Sequence, residues 1–292
     1  MESRHTLPHI VTTQRLTKYL TVYIFNGSKE PYSLEVMGQT IYVVTSGRDS
    51  AEIYKNTNTM SFEIFVRKST RSCGASDELL DRLYGVQTAS AMPVTFAGSE
   101  PNNESKSLGE RTHDFHGIQL LPGAHLPEVT AIFKDFFEEK LRMRYFSQGK
   151  PYITSTGQGW VSLKLLKFVS DYFVDAGQRV YFGKLLGEIN PNLISTFLEL
   201  EDRSWQILYE IPAPFARKAH QARDGIIDAI QKWFDTAPGD RPDGSWWMST
   251  MEAEMKSLAF SSREMATTVV PIYIGYDKSP LIYITLYVCP HI

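Results

Sequence analysis

Between Leu126 and Leu258, apolar residues recur at the three-and-four spacing of a helix face in one segment after another. This periodicity constrains the fold more than any other feature of the chain. Leu126–Phe146 sets Val129, Phe133, Phe136, Phe137 and Leu141 on one broad face, and Trp160–Val174 does the same with Leu163, Leu166, Val169 and Phe173. Asn190-Pro191 offers an N-cap and a first-turn proline for a helix reaching about Glu201. Pro212–Phe234 and Thr250–Leu258 continue the series, with a turn-rich break from Pro238 to Gly244.

The two ends read differently. Tyr32–Val36 alternates, Met37-Gly38-Gln39 turns, and Thr40–Val44 is β-branched and aromatic, which predicts two strands. Ser46 with Asp49 three residues on predicts a capped helix start, and short helices are expected at Asp49–Lys55, Ser61–Arg71 and Ser76–Tyr84. Gly85–Leu108 dissolves into Ser, Ala, Pro, Asn and Gly, a loop long enough to be functional or mobile. Near the end, Val269–Gly275 and Leu281–Val288 read as a hairpin. The expectation is a mainly α chain with a small N-terminal β-sheet (α+β) and a strand-like C-terminal tail. With no linker in view, it is read as one domain over 1–292.

Thirty Lys and Arg against thirty-three Asp and Glu give a net charge of −3, without the basic excess of nucleic-acid binding. Two cysteines, Cys73 and Cys289, make neither a disulfide scaffold nor a cysteine-based zinc site. The apolar runs fall short of the ~20 residues of a spanning helix. The first thirty residues show no signal-peptide core, so a cytoplasmic chain is expected.

Residues that could carry chemistry are few. His113 and His116, three apart, would share a helical face and suit a metal only with a third ligand from elsewhere; loop histidines bonded to water or backbone are the plainer reading. Gly157-Gln158-Gly159 begins a glycine pattern, but Ser162 stands where a dinucleotide loop has its third glycine and no strand clearly precedes it. Cys73 follows Arg71, which could lower a thiol, although a small core residue is the plainer reading. Cys289 has neither glycines nor a following helix to shape a ligand loop. Glu252 and Glu254 lie on different helix faces and make a poor acid–base pair. Arg217, Lys218, His220 and Arg223 form a basic helix face, solvated or in contact with an anionic membrane surface.

Longer strings carry a resemblance. Gly38–Ser46 followed by Ile53–Phe62 resembles the front part of fungal cytochrome P450 haem-thiolate monooxygenases, in the subgroup similar to sterol 7α-hydroxylases and prostacyclin synthase. Leu121-Pro122-Gly123, Tyr181-Phe182-Gly183, the series Phe197, Asp202, Trp205, Tyr209, Pro212, and Glu252-x-Glu254-Met255 with Ser261 and Ser262 follow in order. The resemblance covers about 31–265, leaves 266–292 as a divergent tail, and implies a partial cytochrome P450-like fold.

In that family a membrane-anchor helix precedes this region. A long central helix crossing the haem, a Glu-x-x-Arg pair and a cysteine loop follow it. None of these is recognisable here. The resemblance therefore implies the lineage of monooxygenases oxidising a hydrophobic secondary metabolite or sterol-like substrate. The chain itself is expected to be shortened and not catalytically competent alone, with haem the family's cofactor but none bound by these residues. No catalytic, cofactor-binding or metal-binding residue is assigned. The resemblance further places the Gly85–Leu108 loop and the Pro212–Phe234 helix over the substrate pocket. It names a reductase as redox partner and locates the chain in the cytoplasm or peripheral to the endoplasmic reticulum. The competing expectation is a non-enzymatic helical protein that binds an apolar ligand or a partner protein.

Overall fold

The computed structural model describes residues 30–36, 39–44, 46–56, 59, 63–87, 106–146 and 150–274, in two compact units divided after Glu63. In the first unit, β1 (Tyr32–Val36) pairs antiparallel with β2 (Gln39–Val43), Tyr32 opposite Val43 and Val36 opposite Gln39. Helix α1 (Gly47–Lys55) follows, and its N-cap Ser46 accepts a hydrogen bond from the Asp49 N–H at 3.4 Å, as the sequence predicts.

The second unit is built on helices. Helices α2 (Glu63–Ser72) and α3 (Asp77–Tyr84) lead to a two-residue ladder of β3 (Val86–Gln87) with β4 (Lys106–Ser107). The two ends of the expected Gly85–Leu108 loop are thus pinned together, while its middle lies outside the described residues. Helix α4 (Leu108–Leu120) starts immediately after the ladder on a complete capping box. The Ser107 N–H reaches Glu110 Oε2 at 2.7 Å, and the Glu110 N–H reaches Ser107 Oγ at 3.2 Å.

The long face expected over Leu126–Phe146 is two helices, α5 (Leu126–Lys140) and the single turn α6 (Met143–Phe146). The helix expected from Trp160 begins later. Residues 153–163 form a hairpin of β5 (Ile153–Gly157) and β6 (Trp160–Leu163), and α7 runs from Leu165 to Phe182. The Gly157-Gln158-Gly159 turn forces this: Gly159 sits at φ +78°, where a side chain is strained, and the chain reverses into a ladder.

Helix α8 (Leu185–Ile189) is short. Helix α9 (Leu193–Leu208) is entered at Asn192 rather than Asn190, and α10 (Arg217–Asp235) packs along it. A 3₁₀ turn at Pro238–Asp240 precedes α11 (Trp246–Ser257).

The expected tail strand at Val269–Gly275 is not there. Residues 262–274 form helix α12, and the second expected strand, Leu281–Val288, lies outside the described residues. The start of α12 is another capping box, with the Ser261 N–H on Glu264 Oε2 at 2.8 Å and the Glu264 N–H on Ser261 Oγ at 3.3 Å. The β-branched run Thr267-Thr268-Val269-Val270 favours a strand only weakly, and burial overrides it. Met265, Ala266, Val269, Val270 and Tyr273 join the main core with Phe197 and Leu200 of α9, Ile226, Ile230 and Trp233 of α10, and Met248, Met251 and Met255 of α11.

A smaller aromatic core joins α5 to α7, where Phe136, Tyr172 and Ala176 are buried among Phe133, Phe137, Phe168 and Phe173. Phe136, Phe137 and Phe173 thus pack into this cluster, while Leu166 remains exposed.

Candidate functional site

Helices α7, α11 and α12 meet around an apolar depression lined by Gly177, Tyr181, Phe182, Trp247, Val269, Ile272 and Tyr273. Its walls are fixed by hydrogen bonds at their ends. The Ser245 N–H donates to Tyr181 O at 3.0 Å, the Trp247 N–H to Gln119 Oε1 at 2.8 Å, and the Met248 N–H to Ser245 Oγ at 3.2 Å. The first turn of α11 thus has its otherwise orphaned donors met by α4 and by its own cap. Gln178 donates to the Tyr273 hydroxyl, and the Trp233 indole N–H donates to Phe182 O at 2.9 Å. Tyr273 lies edge-on to Phe182 and to Phe197, with centroids 6.0 and 5.1 Å away.

The Tyr181-Phe182-Gly183 string explains itself at this corner. Gly183 has φ +70°, and a Cβ there would lie 2.1 Å from Asp243 Oδ1, whose other oxygen accepts the Lys184 N–H at 2.9 Å. Only glycine permits the turn and the carboxylate's approach together.

Behind Trp247 lies His116, its ring 4.4 Å from the indole and 6.4 Å from Tyr181. His116 is a helix residue of α4, not a loop residue, and it is buried while His113 is exposed. The two imidazoles do not converge on one point, and no group of three His, Cys, Asp or Glu side chains able to hold a metal occurs among the described residues. Nδ1 of His116 lies 2.9 Å from Thr112 O, a pure acceptor, so this nitrogen carries the proton of a neutral ring. Burial lowers its pKa to about 3, against the raising effect of that carbonyl, with the His113 charge lowering it further.

The sign of the linkage follows. Unfolded His116 takes up a proton near its ordinary 6.5 and folded His116 only near about 3, so below pH 6.5 the unfolded state binds more protons. Stability present at neutral pH is expected to fall by about 1.4 kcal/mol per pH unit across that window. Urea midpoints at neutral and acid pH check this against His116→Gln, which should show a shallower acid slope. Equal slopes would show that His116 does not stay neutral in the fold.

The other sequence candidates are structural. Cys73 is buried in the main core and its thiol is pushed up to about 12 by burial, with the nearby charge of Arg223 acting against it. Cys73 is thus the plain core residue of the two readings, and Arg71, whose charge could have lowered the thiol, pairs with Asp77. Cys289 lies outside the described residues. Glu252 and Glu254 do point apart, and each is buried against an arginine. Arg241 takes both oxygens of Glu252 at 2.6 and 2.7 Å, and Arg111 reaches Glu254 at 3.0 Å. In the basic face of α10, His220 bonds Ile211 O at 2.9 Å and Arg223 donates to Ser72 O at 3.2 Å, which leaves Arg217 and Lys218 exposed. The Gly157–Gly159 pattern is a hairpin tip: a strand does precede it, but a strand follows it too.

The cluster of buried His116, Gln119 and Trp247 with half-buried Tyr181 is not legible in the sequence, since three separate helices bring it together. The one local signal was Ser107-x-x-Glu110, which marks the start of α4.

No protein-family model matches the chain. The cytochrome P450 monooxygenase efuG of Hormonema carpetanum is 25% identical over 171 residues, which is 58% of this chain. The chain spans 28% of that protein's length.

Proposed function

We propose that this chain is a cytochrome P450-like helical scaffold, from the lineage of haem-thiolate monooxygenases that oxidise hydrophobic secondary metabolites or sterol-like molecules. On this reading its 292 residues do not carry out the reaction by themselves. The observation that carries the proposal is the similarity to a cytochrome P450 monooxygenase over 171 residues, together with a fold that is mainly helical.

Haem with a thiolate ligand supplies the electron push for O–O cleavage in such enzymes. Cys73 does not fit that role. It is a core thiol held protonated by burial, and no reaction step is routed through it. The depression between α7, α11 and α12 holds only about 10 Å³, room for a single water and not for a hydrophobic ligand. No helix among the described residues is long and apolar enough to cross a membrane.

The test is haemin reconstitution of the full chain, followed by reduction and CO. The expected spectrum lacks the red-shifted Soret band of a thiolate-ligated iron. Such a band, lost on Cys73→Ser or Cys289→Ser, would show that the chain holds haem through a cysteine and would overturn the proposal.

A further inference from the structure

Residues 140–170 carry six cations, Lys140, Arg142, Arg144, Lys150, Lys164 and Lys167, and no carboxylate, in a chain whose net charge is −3. The segment runs from the end of α5 through α6 and the β5–β6 hairpin into the first turn of α7, and these pieces are joined. The Lys164 N–H donates to Tyr152 O at 2.8 Å, and the Phe168 ring lies 5.7 Å from Phe146 and 5.4 Å from Tyr152.

Between α6 and the hairpin opens a cleft of about 530 Å³ lined by Met143, Phe146, Ile153, Thr154, Trp160 and Val161 among others. Two of its lining side chains stand largely in water, Trp160 at 54% and Met143 at 50% exposure, and in the first turn of α7 Leu165 and Leu166 are 53% and 69% exposed. Asp175 lies 3.7 Å from Lys140 and Asp171 lies 3.7 Å from Lys167, and the charge of Lys150 acts on both carboxylates. Arg142 gives its Nε–H to Glu138 O, a backbone carbonyl that leaves its charge uncompensated.

We propose that this face docks on an anionic lipid bilayer. Cations and exposed apolar groups alternate closely along the chain, as Leu141-Arg142-Met143-Arg144 and Lys164-Leu165-Leu166-Lys167. That mixture suits a membrane interface, where apolar side chains enter the acyl boundary and long cationic ones reach back to the headgroups. It does not suit the core of a protein interface, which is depleted in lysine. Trp160, just past the hairpin turn, has the amphipathic ring that settles at headgroup depth.

The test is flotation of the full chain with phosphatidylcholine vesicles with and without 30% phosphatidylserine. The chain is expected to float at least tenfold better with the anionic vesicles and to be released by 0.5 M salt. Each cation near the surface contributes about fivefold, so Arg144→Glu with Lys164→Glu should lower binding at least tenfold. Trp160→Ser should lower it severalfold, and both variants should keep the wild-type thermal transition. Arg217→Glu with Lys218→Glu, on the start of α10, should leave binding unchanged.

Equal flotation with both vesicle types, no flotation by the wild type, or loss only in the Arg217 and Lys218 variant would each overturn the proposal. So would full displacement by poly-glutamate at matched charge, which would point to an acidic polymer instead.

Discussion

Replacing Glu252 with Ala is expected to destabilise the fold by about 3–5 kcal/mol, because it strands a buried guanidinium. The Arg241 side chain is 3% exposed and that of Glu252 7%. Arg241 spends its Nε–H on Thr236 O at 2.9 Å, lies 3.9 Å over the Trp233 ring, and gives a terminal nitrogen to both Glu252 oxygens. With the carboxylate gone, nothing in this geometry compensates the charge, and Lys256, 2.7 Å from the same carboxylate, adds a second cation to the vacated place. The double variant Arg241→Met with Glu252→Leu removes both charges and should recover most of the loss, since apolar replacement of a buried pair is often neutral or stabilising. Urea unfolding of the wild type, the single and the double variants checks this. A single-variant loss under about 1 kcal/mol would mean the pair is solvated rather than buried.

Replacing Tyr273 with Ala is expected to cost about 3–5 kcal/mol, the range for truncating a large buried aromatic residue. Tyr273 sits on α12 at 5% exposure, touches Phe182 of α7 and Phe197 of α9 edge-on, and accepts the Gln178 amide. Tyr273→Phe keeps the ring contacts and removes the acceptor, so it should lose about 1–3 kcal/mol, the penalty for leaving a buried donor unmet. The ordering of the two variants is the informative part. If both are near wild type in urea midpoint, residue 273 is not in the core and α12 does not close it.

Much of this architecture is legible in the sequence because it is local. The three-and-four spacing of Leu79, Leu80 and Leu83, or of Ile226, Ile230 and Trp233, marks helices whose buried faces it also identifies. Ser46 and Ser76 cap the helices that follow them. The misreadings come from places where two local signals compete. At 262–274 the β-branched run predicts a strand, while in the fold the Ser261-x-x-Glu264 cap and the burial of Val269 and Val270 prevail.

At Trp160–Leu163 the apolar residues fit a helical period, yet the glycines at 157 and 159 turn the chain into a ladder first. The site was the least legible part. His116 gains its neutrality from Trp247 and Tyr181, which come from two other helices, and no spacing within α4 reports their approach.

The central claim is that a helical scaffold of cytochrome P450-like kind closes around α12. Amide hydrogen exchange on the full chain, resolved over 262–274, tests it most directly. If α12 is the buried helix that joins α7, α9, α10 and α11, amides from Met265 to Tyr273, apart from Pro271, should exchange only on global unfolding, at the rate of the α10 amides around Ile226–Trp233. Exchange of 265–273 within seconds, while α10 stays protected, would show that this segment is not part of the core and would contradict the account.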